Sequence, residues 1–532
     1  MHLGPLLKTP AALLLLAASW LGAAAAQPAK APRCDELRPP SIAGATVVDV
    51  QTAERTNVTL SRTIRFCEVN VTLTHGTADD RVLISTWLPA DDLWNGRFLG
   101  TGGGGYIAGR FAGELAPAIA RGFAASSTDA GVGSANDGEF ILKTDGSDQV
   151  NRDLLVNFAH RSIHEMTLTG KHLTRQYYGS KRRLYSYWTG CSTGGRQGMM
   201  EAQRYPTDYD GLMAAAPAIN WATFVPAMDH TSLLRRRLGF QGPACELSEV
   251  RRLAVEACDA LDGATDGVVA APELCEFDAM SVVGRQFRCT GNDNGTDTNT
   301  GNETTSISAE AARIANEAWR GPSLEGKRVW YGYNYDSDLL TDAGLDPRFS
   351  KYAQAWTRLA VERDRSFDVD SQDEAAFASM LARSRHEYGE LIDTSQADLS
   401  AAYRHGAKIL TWHGGSDQAI SGDGTVDYYT RVRRRMEREH GVDVDDFYRV
   451  FFAPGVGHCR GGVGALPDDA LSQLVEWVEK GKAPERLDAT TQDERKKKQP
   501  LCRLPTVARY DAAGDVRCVR SSWADKFEPL KL

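Results

Sequence analysis

The sequence predicts an α/β fold in which a largely parallel sheet, covered by helices on both faces, is interrupted by one large inserted segment. Three observations carry this. Short β-prone apolar runs alternate with helically spaced segments near both ends of the chain. Glycine-rich turns follow directly on several of those runs. The stretch between the two parts, roughly Asn220 to Leu399, is helical and charged, with no strong strand signal.

Taken in order, Val82 to Leu88 reads as a strand, and Gly96 to Leu99 as a second that opens into Gly100-Thr101-Gly102-Gly103-Gly104-Gly105. Leu154 to Tyr177 carries Leu, Val, Phe, Ile and Met at helical spacing, and Leu184 to Trp188 is again β-prone. Strands resume at Lys408 to Trp412 and Tyr448 to Ala453, with a helix from Thr425 to Glu439 between them, which makes a βαβ unit. The expected division is a leader at 1–26, a core at 27–219 and 400–532, and an inserted lid at 220–399. The polar tail after Asp488 is pinned by Cys502 and Cys518.

Lys8 precedes an apolar run from Ala11 to Ala26 that ends in small residues, the pattern of a secretory signal cleaved before Gln27. No later stretch is long enough to span a bilayer, so a secreted protein without a membrane partner is expected. Four Asn-x-Thr sequons, at Asn57, Asn70, Asn294 and Asn302, agree with a glycosylating pathway. Ten cysteines, none at Cys-x-x-Cys spacing, favour disulfides over a zinc site. The net charge is −9, and the basic runs at Arg431 to Arg438 and Lys496 to Lys498 come with neither an aromatic platform nor a basic total. They read as solvated helix faces rather than nucleic-acid sites.

The chemistry centres on Gly190-Cys191-Ser192-Thr193-Gly194-Gly195, between a strand and a helix. Gly-x-Ser-x-Gly at such a turn lifts the serine hydroxyl above the sheet and aims a helix N-terminus at the reacting oxygen. A serine needs a histidine base oriented by a carboxylate. Asp417 follows the strand ending at Trp412, and His458 follows the strand ending at Ala453, giving the order Ser, Asp, His of α/β hydrolases. His413 competes as base but precedes the acid and suits a buried structural role. The oxyanion donors are expected to be the Thr193 N–H and one from the glycine loop, Gly104. That loop lacks the Lys-Ser/Thr of a phosphate loop and the spacing of a dinucleotide fingerprint, so no organic cofactor is expected.

Cys191 precedes the serine and Cys459 follows the histidine. A bridge between them would hold the two Cα atoms about 5–6 Å apart and tie nucleophile to base. The rival is a nucleophilic Cys191 thiol, which an oxidising compartment disfavours. In Cys258 to Val268, the carboxylates Asp259, Asp262 and Asp266 are interleaved with glycines, which suits either a Ca²⁺ site or an acidic solvated turn.

Several segments together resemble the fungal tannase and feruloyl esterase family, which also includes mono(2-hydroxyethyl) terephthalate hydrolase. They are Trp94 to Leu99, Ala135-Asn136-Asp137-Gly138, Gly190 to Gly198, Tyr205 to Gly211, the Asp417 loop, Pro454 to Gly462 and Pro500-Leu501-Cys502. The resemblance implies an α/β-hydrolase core whose lid holds a structural Ca²⁺ through Asp259, Asp262 and Asp266 with the carbonyls of Ala264 and Val268. It implies bridges Cys191–Cys459, Cys258–Cys275, Cys502–Cys518 and Cys34–Cys67. The chain departs from the family where a further cysteine would follow Cys289, so Cys289 is free to pair with Cys245, and in His413 to Gln418, where the family has His-Gly-Trp-Ala-Asp-Pro. The implied substrates are small aromatic esters such as plant polyphenol or cell-wall conjugates, with Trp221, Phe224, Trp330, Tyr331 and Tyr333 as candidate slot residues. Rival readings are a general or polyester-related carboxylesterase and a non-catalytic secreted binding protein.

Overall fold

The computed structural model describes residue 1 and residues 33–59, 62–76, 80–90, 92–179, 183–289, 304–511 and 514–530. Apart from residue 1, the leader at 1–26 lies outside these residues, as does the span 290–303 with the sequons at Asn294 and Asn302.

Nine strands form one sheet: β1 (Thr46–Thr59), β2 (Arg62–Thr74), β3 (Val82–Pro89), β4 (Arg97–Thr101), β5 (Ala124–Thr128), β6 (Tyr185–Cys191), β7 (Gly211–Ala215), β8 (Lys408–Gly414) and β9 (Tyr448–Ala453). Their spatial order is β1-β2-β3-β5-β4-β6-β7-β8-β9. The first four in that order pair antiparallel, and from β5 onward every pair is parallel. Helices α1 (Ala112–Ala120), α2 (Ser162–Tyr178), α3 (Thr193–Arg204), α4 (Gly422–His440) and α5 (Ala470–Lys480) accompany it.

Because successive strand residues point to opposite faces, each parallel strand divides its apolar residues between two cores. Phe98, Trp188, Ile409 and Val450 face a core shared with α2, α3 and α4, including Met166, Met199 and Val432. Their neighbours Leu99, Tyr187, Leu410 and Phe451 face one shared with α1 and α5, including Leu115, Leu474 and Trp477. Burial on both faces explains why these strands read as unbroken apolar runs. The arginine run lies on α4, where Arg431 and Arg435 pair with carboxylates one turn away, Asp427 and Glu439.

Residues 220–399 add no strand to this sheet among the described residues. They supply helices including Trp221–Ala227, Ala244–Cys258, Ala309–Arg320, Pro347–Ala355 and Glu374–Ile392. Leu247, Val250, Ile314 and Leu339 build a cluster internal to this segment. Trp221, Phe224 and Trp356 join the core on the α2 face. The segment's ends meet where Asn220 N–H donates to the Asp393 carbonyl at 2.7 Å.

All ten cysteines are paired: Cys34–Cys67, Cys191–Cys459, Cys245–Cys289, Cys258–Cys275 and Cys502–Cys518. Cys191 is therefore a bridge and not a free thiol, and the two cysteines left open by the sequence pair with each other. Among the described residues, no helix is long and apolar enough to cross a membrane. Asn57 on β1 is half-buried, and Asn70, within β2, has its Oδ1 buried.

Candidate active site

Ser192 stands at the turn from β6 into α3 with φ 65° and ψ −123°. For a residue with a side chain, this sparsely populated conformation costs about 1–3 kcal/mol. Close approach of backbones makes the turn possible. A Cβ on Gly190 would lie 2.5 Å from the Gly194 backbone, and one on Gly195 would lie 2.2 Å from the Ala215 carbonyl.

Ser192 Oγ is 2.9 Å from His458 Nε2, and His458 Nδ1 is 2.8 Å from Asp417 Oδ2. Asp417 and His458 come from the loops that follow β8 and β9, at the carboxyl ends of the parallel strands. The Ala419 and Ile420 N–H groups both donate to Asp417 Oδ1 at 2.8 Å. Burial alone would push the Asp417 carboxyl up, but His458 and His413 together hold it well below the usual carboxylate range. His413 is fully buried, with Nδ1 2.8 Å from Thr425 Oγ1 and Nε2 2.9 Å from the Ile420 carbonyl. Both its nitrogens are committed within the protein, as a structural histidine requires.

The Cys191–Cys459 bridge spans a Cα separation of 6.1 Å directly beneath the serine–histidine contact. On the glycine loop, Thr193 Oγ1 donates to the Gly105 carbonyl at 2.6 Å. The expectation for Gly104 is corrected here: its N–H is already donated to the Ile107 carbonyl at 2.9 Å. The Gly102 and Gly103 amides are committed too, to the Thr189 carbonyl and Gln197 Oε1. Among the described residues, the N–H groups of Thr193 and Gly105 have no acceptor.

Above the serine lies a cavity of about 560 Å³. Its apolar wall includes Trp221, Phe224, Val225, Met228, Phe349 and Ile420. Phe349 meets the His458 ring edge-on, with centroids 5.3 Å apart. Tyr352 is held by Asn136, whose Nδ2 donates to its hydroxyl at 2.8 Å. Of the five aromatics expected to line a slot, only Trp221 and Phe224 do so. Trp330 and Tyr331 are buried in the core on the α2 face, and Tyr333 borders a separate cavity of about 290 Å³. Phe349 and Tyr352 carry no local sequence signal, whereas Asn136 lies in one of the family-like segments.

In the acidic loop, Asp259 and Asp262 are buried and each accepts two backbone N–H groups. Asp266 Oδ1 is buried with no hydrogen-bond partner. Burial pushes the Asp262 carboxyl up to about 6, with added repulsion from Asp266 and Asp259. An orphaned buried carboxylate oxygen beside two further carboxylates is where a hard cation would be held, but the three do not converge as His164, Glu201 and Asp208 do, whose ligand atoms lie within 4.8 Å of one another.

A parallel sheet that presents a serine at a strand-to-helix elbow, hydrogen-bonded in series to a histidine and an aspartate from its last two strands, defines a site of the α/β-hydrolase kind. Comparison with known proteins agrees. The chain belongs to the tannase and feruloyl esterase family, whose model matches residues 67–524, and this places it among ester hydrolases. It is 38% identical over 548 residues to a probable feruloyl esterase of Arthroderma benhamiae, covering 98% of this chain and 97% of that one. It is 28% identical over 523 residues to a tannase of Aspergillus oryzae, covering 88% of each. Among solved structures, the tannin acyl hydrolase from Aspergillus niger matches with a TM-score of 0.83 at 28% identity, covering 92% of this chain and 94% of that one. Feruloyl esterase B from Aspergillus oryzae matches with a TM-score of 0.75 at 25% identity, covering 90% and 98%.

Proposed function

We propose that the chain is a secreted serine esterase that cleaves esters of phenolic acids through an acyl-enzyme. The observation that carries this is the unbroken Ser192–His458–Asp417 hydrogen-bond chain opening into an aromatic-walled cavity. His458 Nε2 takes the Ser192 proton as Oγ attacks the ester carbonyl, and returns it to the departing alcohol. Asp417, kept ionised, fixes the Nδ1–H tautomer and stabilises the imidazolium. The Thr193 N–H and, in place of Gly104, the Gly105 N–H stabilise the oxyanion. Water then repeats the sequence and releases the acid.

The bridges and the apolar leader support secretion, and of the two sequons among the described residues Asn57 is the better placed to carry a glycan. Residues 220–399 act as a lid, since Trp221, Phe224, Phe349 and Tyr352 close over the serine from that segment. Asp259, Asp262 and Asp266, with the carbonyls of Ala264 and Val268, would hold a Ca²⁺ whose chemistry there is structural.

The test is hydrolysis of methyl ferulate and methyl gallate against an aliphatic ester of similar size. At least one aromatic ester should be favoured about tenfold in kcat/KM, about 1.4 kcal/mol of transition-state binding. Ser192→Ala should abolish turnover of all three while leaving the melting temperature unchanged. Equal cleavage of the aliphatic ester defeats the phenolic reading, and residual Ser192→Ala activity within tenfold of wild type defeats the nucleophile.

A further inference from the structure

The mouth of the cavity carries charge that ester hydrolysis itself does not use. Arg110, Glu114, Arg348 and Arg460 all line it. Arg348 is committed, pairing with Asp338 at 3.3 Å and Asp346 at 2.5 Å. Arg110 and Arg460 are not. Among the described residues, neither guanidinium makes a side-chain hydrogen bond or ion pair, although both are exposed to solvent at the site. Both act electrostatically on the Glu114 carboxyl, so the three groups share one corner of the cavity lining. Arg110 lies alongside the glycine loop, since a Cβ on Gly104 would come 2.3 Å from its terminal nitrogen. The single Glu114 carboxylate cannot balance two guanidiniums, so this corner is net positive in a chain whose net charge is −9. Such local inversion of sign is how a cleft selects and draws in an oppositely charged ligand.

The corner's place relative to the chemistry indicates which half of the substrate it meets. On the esterase reading, the aromatic wall from Trp221, Phe224 and Phe349 is the seat of the planar acyl ring. His458 Nε2 protonates the departing alcohol oxygen, so residues just beyond His458 face the alcohol half. Arg460 is two residues on, after Cys459, which is anchored by its bridge to Cys191. We propose that Arg110 and Arg460 form an anion subsite for a carboxylate on the alcohol half of the substrate, so that the enzyme favours phenolic esters of hydroxy acids over those of neutral alcohols. A guanidinium fork matches a carboxylate in charge and geometry, and two forks converging on one corner can grip it from both sides. The inference rests on the esterase reading above for the direction of the substrate.

The experiment compares feruloyl glycolate with its neutral isostere, the feruloyl ester of glycolamide. In the wild-type protein at low salt, kcat/KM for the acid should exceed that for the amide at least tenfold. Raising NaCl to 0.5 M should shrink the ratio, because the corner is solvent-exposed and screened. In the Arg110→Gln/Arg460→Gln double variant the ratio should fall to within about twofold of unity, and in the Arg110→Glu/Arg460→Glu variant below one. A second arm measures dissociation constants for the same pair on Ser192→Ala protein by quenching of its tryptophan fluorescence, which needs no turnover. A wild-type ratio near one in kinetics and binding, or a ratio that survives the double Gln variant in protein of unchanged melting temperature, overturns the subsite. If neither ester is cleaved while the acid still binds Ser192→Ala protein about tenfold tighter, the esterase reading fails and the anion subsite stands.

Discussion

Replacing Cys191 and Cys459 together by alanine should weaken both the fold and the chemistry. The bridge closes a sequence separation of 268 residues, for which the chain-entropy model gives a stabilisation of about 5–6 kcal/mol. The Cys245–Cys289 bridge already shortens that loop, but the cost depends on the logarithm of its length, so the discount is only a few tenths of a kcal/mol, and single native bridges typically contribute about 2–5 kcal/mol. A loss of about 3–5 kcal/mol in unfolding free energy, read from urea melts, is therefore expected. The activity loss has a separate origin. Ser192 at φ 65° and Cys459 at φ 61° are both held in the left-handed region, and each position costs about 1–3 kcal/mol. Released from the bridge, residue 459 can relax and carry the adjacent His458 away from its 2.9 Å contact with Ser192. Turnover of methyl ferulate should fall at least tenfold at temperatures where the variant is still folded. An unchanged urea midpoint, or full activity in folded variant protein, would refute the reasoning.

Three further outcomes are expected. Asp417→Asn should lower kcat by about three to four orders of magnitude with little change in KM, because an amide can favour the wrong imidazole tautomer; a loss below tenfold would contradict that role. Chelation, or Asp262→Asn, should lower the melting temperature while sparing initial rates at low temperature, since a cation at one hundred times its Kd adds about 2.7 kcal/mol to stability; identical melting with and without chelator argues for an acidic turn. His75 lies between Asp80, 2.6 Å from Nδ1, and Glu165, 2.7 Å from Nε2. Burial pulls its pKa down, yet Glu165 and Asp80 outweigh this and raise it above the ordinary histidine value. The stabilisation should be fully present below about pH 6.5 and be lost as pH rises through the raised value, with each tenfold change in proton affinity worth about 1.4 kcal/mol. His75→Gln should flatten the slope of unfolding free energy between pH 6 and 9, and an unchanged slope would exclude this pair of contacts as its source.

The parallel half of the sheet was legible only in part: β4, β6, β8 and β9 are apolar runs whose physics is local, whereas β5 and β7, built largely of alanine and other small residues, were not read as strands. Lys408 to Trp412 and Tyr448 to Ala453 match β8 and β9 to within two residues, as runs buried on both faces must. The hairpin of β1 and β2 was not. Its sequence mixes Asp49, Gln51, Glu54, Arg55 and Asn57 with scattered valines, because β1 is an edge strand with much of its length exposed. Only the thirteen-residue ladder against β2 makes it a strand, and a ladder is not a pattern in either sequence alone.

The site divides along the same line. Ser192, Asp417 and His458 each sit in a short turn whose glycines are visible in sequence, and chain order alone joined them. Gly104 was misjudged because donor availability depends on the Ile107 carbonyl, which the turn folds back onto it. Trp330 was a candidate for the slot or for the core of the inserted segment, and tertiary packing sends it into the core, while Phe349 and Tyr352 enter the cavity on Pro347–Ala355. The hydrogen bond that fixes Tyr352 comes from Asn136, 216 residues earlier. The hydrogen-bond chain from Ser192 to Asp417 is therefore encoded in local turns, whereas the cavity walls come from contacts across the chain. On the proposed reading, a substitution at Arg110, Phe349 or Arg460 should therefore redirect specificity while the hydrogen-bond chain from Ser192 to Asp417 stays as it is.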